Sequence, residues 1–172
     1  LATRPFLYCL NTATIREQKI GIVKEIEVTA SAGYDAIEPW IGTIEEYVKS
    51  GGSLKELKQR VIDSGLTVES AIGFSEWIAE DEAKRAQGLE RAKRDMELVA
   101  QIGGKRLAAP PAGATNLPKL DLLDAADRYR RLLEAGDRIG VFPELELWGF
   151  SKNLNRLGEC VCVAIETAHP KA

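Results

Sequence analysis

The chain is poor in the residues that most often declare a chemistry. It has one histidine, three cysteines, one methionine and 6% aromatic residues. The single His169 stands just before Pro170 at the end of a helical stretch, where an imidazole favours the helix dipole and is expected to be exposed rather than to bind metal. Cys9, Cys160 and Cys162 are odd in number and lack CxxC spacing, so reduced cysteines in a cytoplasmic protein are expected. Positive charge is not in excess: the net charge is -3 and the pI is near 5.4. With no basic stripe interleaved with aromatics, a nucleic-acid groove is excluded as a class. No apolar run is long enough to span a bilayer, so no membrane partner is expected. The opening "LATRPFLYCLNT" lacks the apolar stretch of a signal peptide and an initiator Met, so the chain is expected to begin within a longer reading frame. Neither a GxGxxG nor a P-loop pattern is present.

What remains is an ordinary globular composition, 45% hydrophobic and 28% charged over 172 residues, which suits one domain. Strand-like and helix-like blocks alternate. Gly33, Gly65, Gly104 and Gly140 each precede a short apolar run, at intervals of about one βα unit, roughly 30 or more residues. Each is expected to stop a helix in the left-handed conformation before the next strand. The predicted strands are "FLYCLN" (6–11), "YDAIEPW" (34–40), "LTVESAIG" (66–73), "KRLAAP" (105–110) and "VFPELELW" (141–148). Helices between them imply crossover connections and a parallel sheet.

Capping boxes, in which a hydroxyl and a carboxylate satisfy each other's backbone N–H groups, are predicted at Thr14–Glu17, Thr43–Glu46 and Ser53–Glu56. Ser50-Gly51-Gly52 predicts a break between the last two. Apolar stripes at helical spacing predict core faces at Leu89, Ala92, Met96 and Val99, at Leu122, Ala126, Tyr129 and Leu133, and at Leu154, Leu157, Val161, Ala164 and Ala168. The charged runs "EDEAKR" and "ERAKRDME" read as solvated helix faces.

Five βα units fit two architectures: an open doubly wound sheet with strand order 2-1-3-4-5, or part of a (β/α)8 barrel with order 1-2-3-4-5. Strands of a doubly wound sheet are covered on both faces and read as continuous apolar runs. These strands carry Glu38, Glu69, Glu144 and Glu146, with Asn11 and Arg106 on comparable faces. A bare carboxylate in an apolar interior is costly unless paired or metal-bound. The mixture suits the polar mouth of a barrel better, and Glu144 has a candidate partner in Arg106 on the neighbouring strand.

"GYDAIEPW", "SGLTVESAIGF" and "ELELWGFS" resemble the second, third and fifth strands of the xylose isomerase-like barrels, the sugar phosphate isomerase/epimerase superfamily. The resemblance implies a partial (β/α)8 TIM barrel: residues 1–172 form a single truncated domain of units one to five, with units six to eight absent from the chain. It also implies a divalent-metal site (Mn, Mg, Co or Zn) at the C-terminal mouth. In the family, that site draws a Glu from strand five, an Asp or similar ligand from strand six, a His from strand seven and a Glu from strand eight. Glu146 matches the first, as metal ligand and catalytic group. The implied reaction is proton transfer next to a carbonyl on a small sugar, with this chain alone inactive. The zinc-dependent abasic-site endonucleases of the same superfamily are disfavoured, since they use several histidines at strand ends.

Beside Glu146, the candidate substrate-binding residues are Glu38, Asn11, Trp40, Phe74, Trp77 and Trp148, all at strand ends or in the loops after them. Each has a plainer alternative. The carboxylates can be salt-bridged or held by loop N–H groups, Asn11 can be a turn former, and the aromatics can be plugs under loops. "AAPPAGATNLP" (108–118) is a candidate lid. Strand edges left open predict self-association.

Overall fold

The structure is a computed structural model and describes residues 6–172; residues 1–5 of the opening segment lie outside the described residues. Five short parallel strands alternate with helices: β1 (Cys9–Asn11), α1 (Ile22–Ser31), β2 (Ala36–Glu38), α2 (Ile41–Lys49), α3 (Leu54–Asp63), β3 (Thr67–Val68), α4 (Glu82–Gln101), β4 (Arg106–Ala109), α5 (Leu122–Ile139), β5 (Phe142–Leu145) and α6 (Leu157–Glu166). The strands are shorter than the apolar runs that predict them, because pairing stops where the loops diverge. The chain forms two compact units. Among the described residues, one takes the chain up to Ile72 together with residues 98–105, and the other comprises residues 73–97 and 106–172.

In the first unit β2 lies between β1 and β3, all parallel. That order excludes the doubly wound alternative, which would place the first strand in the centre. The pairing aligns Leu10 with Ile37 and Ile37 with Val68. These three are buried and form one side-chain row, since alternate residues of a strand share a face. The core continues through Ile26, Ile41, Ile44, Leu57 and Val61 of the helices. Burying each such side chain contributes roughly 1.5–3 kcal/mol.

Ser53 caps α3 as predicted, its hydroxyl accepting from the Glu56 N–H at 3.4 Å, which is the hydroxyl half of the expected box. The other two boxes start no helix. Thr14 and Glu17 lie in consecutive 3-10 turns, Thr12–Thr14 and Arg16–Gln18. Thr43 lies inside α2, which starts after Trp40. Here the tertiary path of the chain overrides the local signal. The predicted break is present: α2 ends at Lys49 and Gly51 adopts φ 91°. Gly33 and Gly65 take the left-handed conformation. The third glycine stop falls at Gly103 (φ 93°), one residue before the expected Gly104. Gly104 serves packing instead, because a Cβ there would lie 2.6 Å from Val99 Cγ1 and 2.9 Å from Val68 Cγ1.

In the second unit β4 pairs in parallel with β5, Ala108 opposite Glu144. Asp121 caps α5 by accepting from the Leu123 and Asp124 N–H groups, and Gly140 ends it at φ 83°. Gly136 allows α5 to approach β5 closely: a Cβ would sit 2.5 Å from the Val141 carbonyl oxygen. The Tyr129 hydroxyl donates to the Pro143 carbonyl at 2.8 Å, and burial pushes its pKa well above the ordinary range.

The expected stripe on the last helix needs correction. Cys160 and Val163 are the buried residues of α6, whereas Leu157 is 70%, Val161 46% and Ile165 68% exposed. The helix is apolar on more than one face, and only the face toward the unit's interior is covered. His169 is also less open than expected. Its side chain is 10% exposed and Nε2 lies 3.0 Å from Asp137 Oδ2.

Candidate functional site

Within the first unit the C-terminal strand ends collect polar groups. Asn11 and Glu38 are direct neighbours in register, and the Asn11 amide donates to Glu38 Oε2 at 2.8 Å. Asn11 Oδ1 accepts from the Ala13 N–H, which fixes the amide and caps the following turn. The plainer reading of Asn11 as a turn former therefore applies, whereas Glu38 is held by the Asn11 side-chain amide rather than by loop N–H groups. Cys9, two residues earlier on β1, has its thiol pKa pushed up to about 11 by burial, then by Glu38 and Glu69. A negative field thus gathers on this face, and the thiol stays protonated and unreactive at neutral pH. Half-buried Trp40 carries the Arg16 guanidinium over its ring, 5.3 Å from the centroid.

In the second unit the β5 glutamates part company. Glu144 pairs with Arg106 across the strands, Oε1 to Nε at 3.1 Å, as the parity of the two strands suggests. The pair is about half exposed, so its net contribution is modest. Glu146 stands just past β5, its N–H donating to the Ala109 carbonyl at 3.2 Å. Its Oε2 is buried and has no hydrogen-bond partner among the described residues. A carboxylate oxygen in that state carries a desolvation penalty that a cation, a donor or a proton would relieve.

In the same unit, the aromatic rings of Phe74, Trp148 and Phe150 form a cluster. The Phe74–Trp148 centroids are 6.0 Å apart, and Trp148 stacks on Phe150 at 5.0 Å. Phe74 and Phe150 are 45% and 74% exposed, so the cluster presents open ring faces. Phe150 is absent from the sequence-predicted set, although it lies in the loop after its strand as Phe74 and Trp77 do after theirs. Trp77 is a correction. It is 2% exposed, donates from Nε1 to the Pro110 carbonyl at 2.8 Å and packs 5.7 Å from Tyr129. It is a core residue with no ring face open to a sugar.

The segment 108–118 is not a free lid. Buried Asn153 donates to the carbonyls of Ala114 (2.8 Å), Leu117 (3.3 Å) and Pro118 (3.2 Å), and accepts from the Leu120 N–H at 2.9 Å. The Lys152 N–H adds a bond to the Thr115 carbonyl at 2.8 Å. One asparagine therefore binds the loop after β4 to the loop after β5. No sequence signal marks it, since its partners are backbone carbonyls more than 30 residues away.

Parallel strands in consecutive order within each sheet, joined by crossover helices, define part of an α/β barrel. The chain belongs to the xylose isomerase-like TIM barrel family, whose profile matches residues 26–167. It is 28% identical over 92 residues to 3-dehydro-D-guloside 4-epimerase of Escherichia coli (strain K12), covering 51% of this chain and 35% of that protein. Among solved structures it superposes on the IOLI protein with a binding zinc atom at TM-score 0.85 and 20% identity, covering 96% of this chain and 60% of that one. It superposes on D-psicose 3-epimerase at TM-score 0.75 and 19% identity, covering 96% and 61%. The chain therefore spans about a third of the length of the epimerase it matches in sequence, and about 60% of these structural neighbours.

Proposed function

We propose that this chain supplies the first five βα units of a cytoplasmic, divalent-metal-dependent isomerase or epimerase of a sugar or sugar phosphate. The observation that carries this reading is the buried, unpartnered Oε2 of Glu146 at the end of β5. The family resemblance expects a metal-binding glutamate there, and an oxygen without a donor suits a Mn, Mg, Co or Zn ion. Among the described residues no group of three or more His, Cys, Asp and Glu side chains is placed to hold a metal. Glu146 is thus one ligand of a set that other residues must complete, and a lone carboxylate binds Mg²⁺ or Mn²⁺ poorly. Glu146 and the further ligands would hold the ion, which would supply Lewis-acid polarisation of the substrate carbonyl.

The roles of this chain's own residues follow from their chemistry. Glu146 would give one carboxylate oxygen to the metal, and the other could serve as the base for the proton next to the carbonyl. Asn11 and Glu38 form a donor–acceptor pair suited to a sugar hydroxyl. Phe74 and Trp148, joined by Phe150, offer aromatic faces to the C–H side of a sugar ring and exclude water, with Trp40 in the same role on the first unit. The relatives named as sugar epimerases support this substrate class.

The test is deuterium exchange next to the carbonyl of D-fructose in D2O with Mn²⁺, followed by NMR. The 172-residue chain alone is expected to give the blank rate. Robust exchange by it would contradict the need for further ligands.

A further inference from the structure

A separate cluster lies between two helices of the second unit, on residues the sugar chemistry does not use. Glu82, Arg85, Ala86 and Leu89 recur at helical spacing on the first two turns of α4. Arg128 and Arg131 stand one turn apart on α5. With the edge of Trp77 they line a cavity of about 130 Å³. Three guanidinium groups thus converge on a space with an apolar floor. Arg85 Nη1 donates to the carbonyls of Ala79 and Glu80, each at 2.8 Å. Arg128 Nη1 donates to the Ile78 carbonyl at 2.9 Å. These bonds orient both forks and leave most of their N–H donors uncommitted. None of the three arginines forms an ion pair among the described residues. Burial, then the neighbouring Arg85, push the Arg128 guanidinium below its ordinary range, with Asp124 and Glu80 opposing. The cleft therefore holds three cationic groups against the single carboxylate of Glu82 in its lining, with Asp124 and Glu80 acting on Arg128 from nearby.

We propose that the cleft between α4 and α5 binds a phosphate dianion, either inorganic phosphate or the phosphate of a phosphomonoester. A tetrahedral dianion accepts from several guanidinium forks at once through short charge-assisted hydrogen bonds. It also relieves the Arg85–Arg128 repulsion, and the apolar floor of Trp77, Ala86 and Leu89 keeps competing water away on one side. The Glu82 carboxylate at the rim opposes binding. The site is independent of Glu146 and of the isomerase reading.

The experiment is isothermal titration calorimetry of the 172-residue chain at constant ionic strength, set with KCl. The probes are inorganic phosphate, glucose 6-phosphate and glucose. Calorimetry is preferred to melting because phosphate raises the stability of most proteins non-specifically. Saturable binding of at least one of the two phosphate probes is expected, with none for glucose. Tighter binding of the ester than of free phosphate identifies a phosphomonoester as the ligand, and the reverse identifies inorganic phosphate. Arg131→Ala, at an exposed position that leaves the fold intact, is expected to weaken binding about tenfold, the loss of one charge-assisted contact. Glu82→Gln is expected to strengthen it. Absence of saturable binding by either phosphate probe, or equal binding by wild type and Arg131→Ala, would overturn the proposal.

Discussion

Glu25 and Glu146 each leave one buried side-chain oxygen without a hydrogen-bond partner among the described residues, yet they differ in kind: Glu25 is buried as a whole and Glu146 is partly exposed. Glu25 is 4% exposed inside α1, and burial raises its pKa above the ordinary glutamate value. Between the ordinary and the raised pKa the folded chain holds more protons than the unfolded one. Stability from this group is therefore fully present below the ordinary pKa and is lost as pH rises through the folded one. Glu25→Gln should remove that dependence and make the chain more stable than wild type at pH 7, as read from urea midpoints at pH 4.5 and 7. Asn153→Ala should cost about 3 kcal/mol, because several buried carbonyls lose their donor together; chemical denaturation measures it. These residues differ in how legible they are. Glu146 stands out in sequence because a carboxylate amid leucines of a strand demands a reason. Glu25 and Asn153 do not, since a glutamate in a helix and an asparagine in a loop are ordinary until burial is known. Trp77 misleads for the opposite reason: its place after a strand suggests a pocket wall, whereas its indole is consumed by packing.

At the scale of elements, turn chemistry and close approach decide the arrangement. Ser53→Ala should destabilise by about 1 kcal/mol, the usual cost of a lost N-cap, whereas Thr14→Ala and Thr43→Ala should change stability little, since neither caps a helix. Gly88 lies inside α4 where a Cβ would come within 2.5 Å of the Glu76 carbonyl oxygen. Gly88→Ala should therefore cost about 1–3 kcal/mol through overpacking, despite alanine's better helix propensity; thermal unfolding of the variant checks it. Helix positions and the αL stops at Gly33, Gly65 and Gly140 were readable because periodicity and glycine have a direct physical meaning. The start of the first helix was not, because two capping-box matches are satisfied by turns or by the interior of a helix. The face of α6 was unreadable for another reason. A helix apolar on several sides gives no periodic contrast, so sequence cannot say which side is covered.

At the scale of the whole molecule, the open features of the second unit invite partners. β5 pairs only with β4 among the described strands, and Leu157, Val161 and Ile165 line an exposed ridge of α6. We propose that the chain self-associates through these features. Sedimentation should show concentration-dependent dimers or larger species, and Val161→Lys with Ile165→Lys should shift them toward monomer. Among the described residues no helix is long and apolar enough to cross a membrane. Strand order was the observation that separated the two architectures left open by counting units, and it rests on β2 standing between β1 and β3. Glu146 as the proposed strand-five metal ligand is the central claim. Manganese-induced broadening in ¹H–¹⁵N NMR spectra is sensitive to weak binding and tests this directly. Millimolar Mn²⁺ is predicted to broaden residues 144–148 selectively in the wild type and to spare them in Glu146→Gln. Equal broadening of that segment in both proteins, or none in either, would contradict the account.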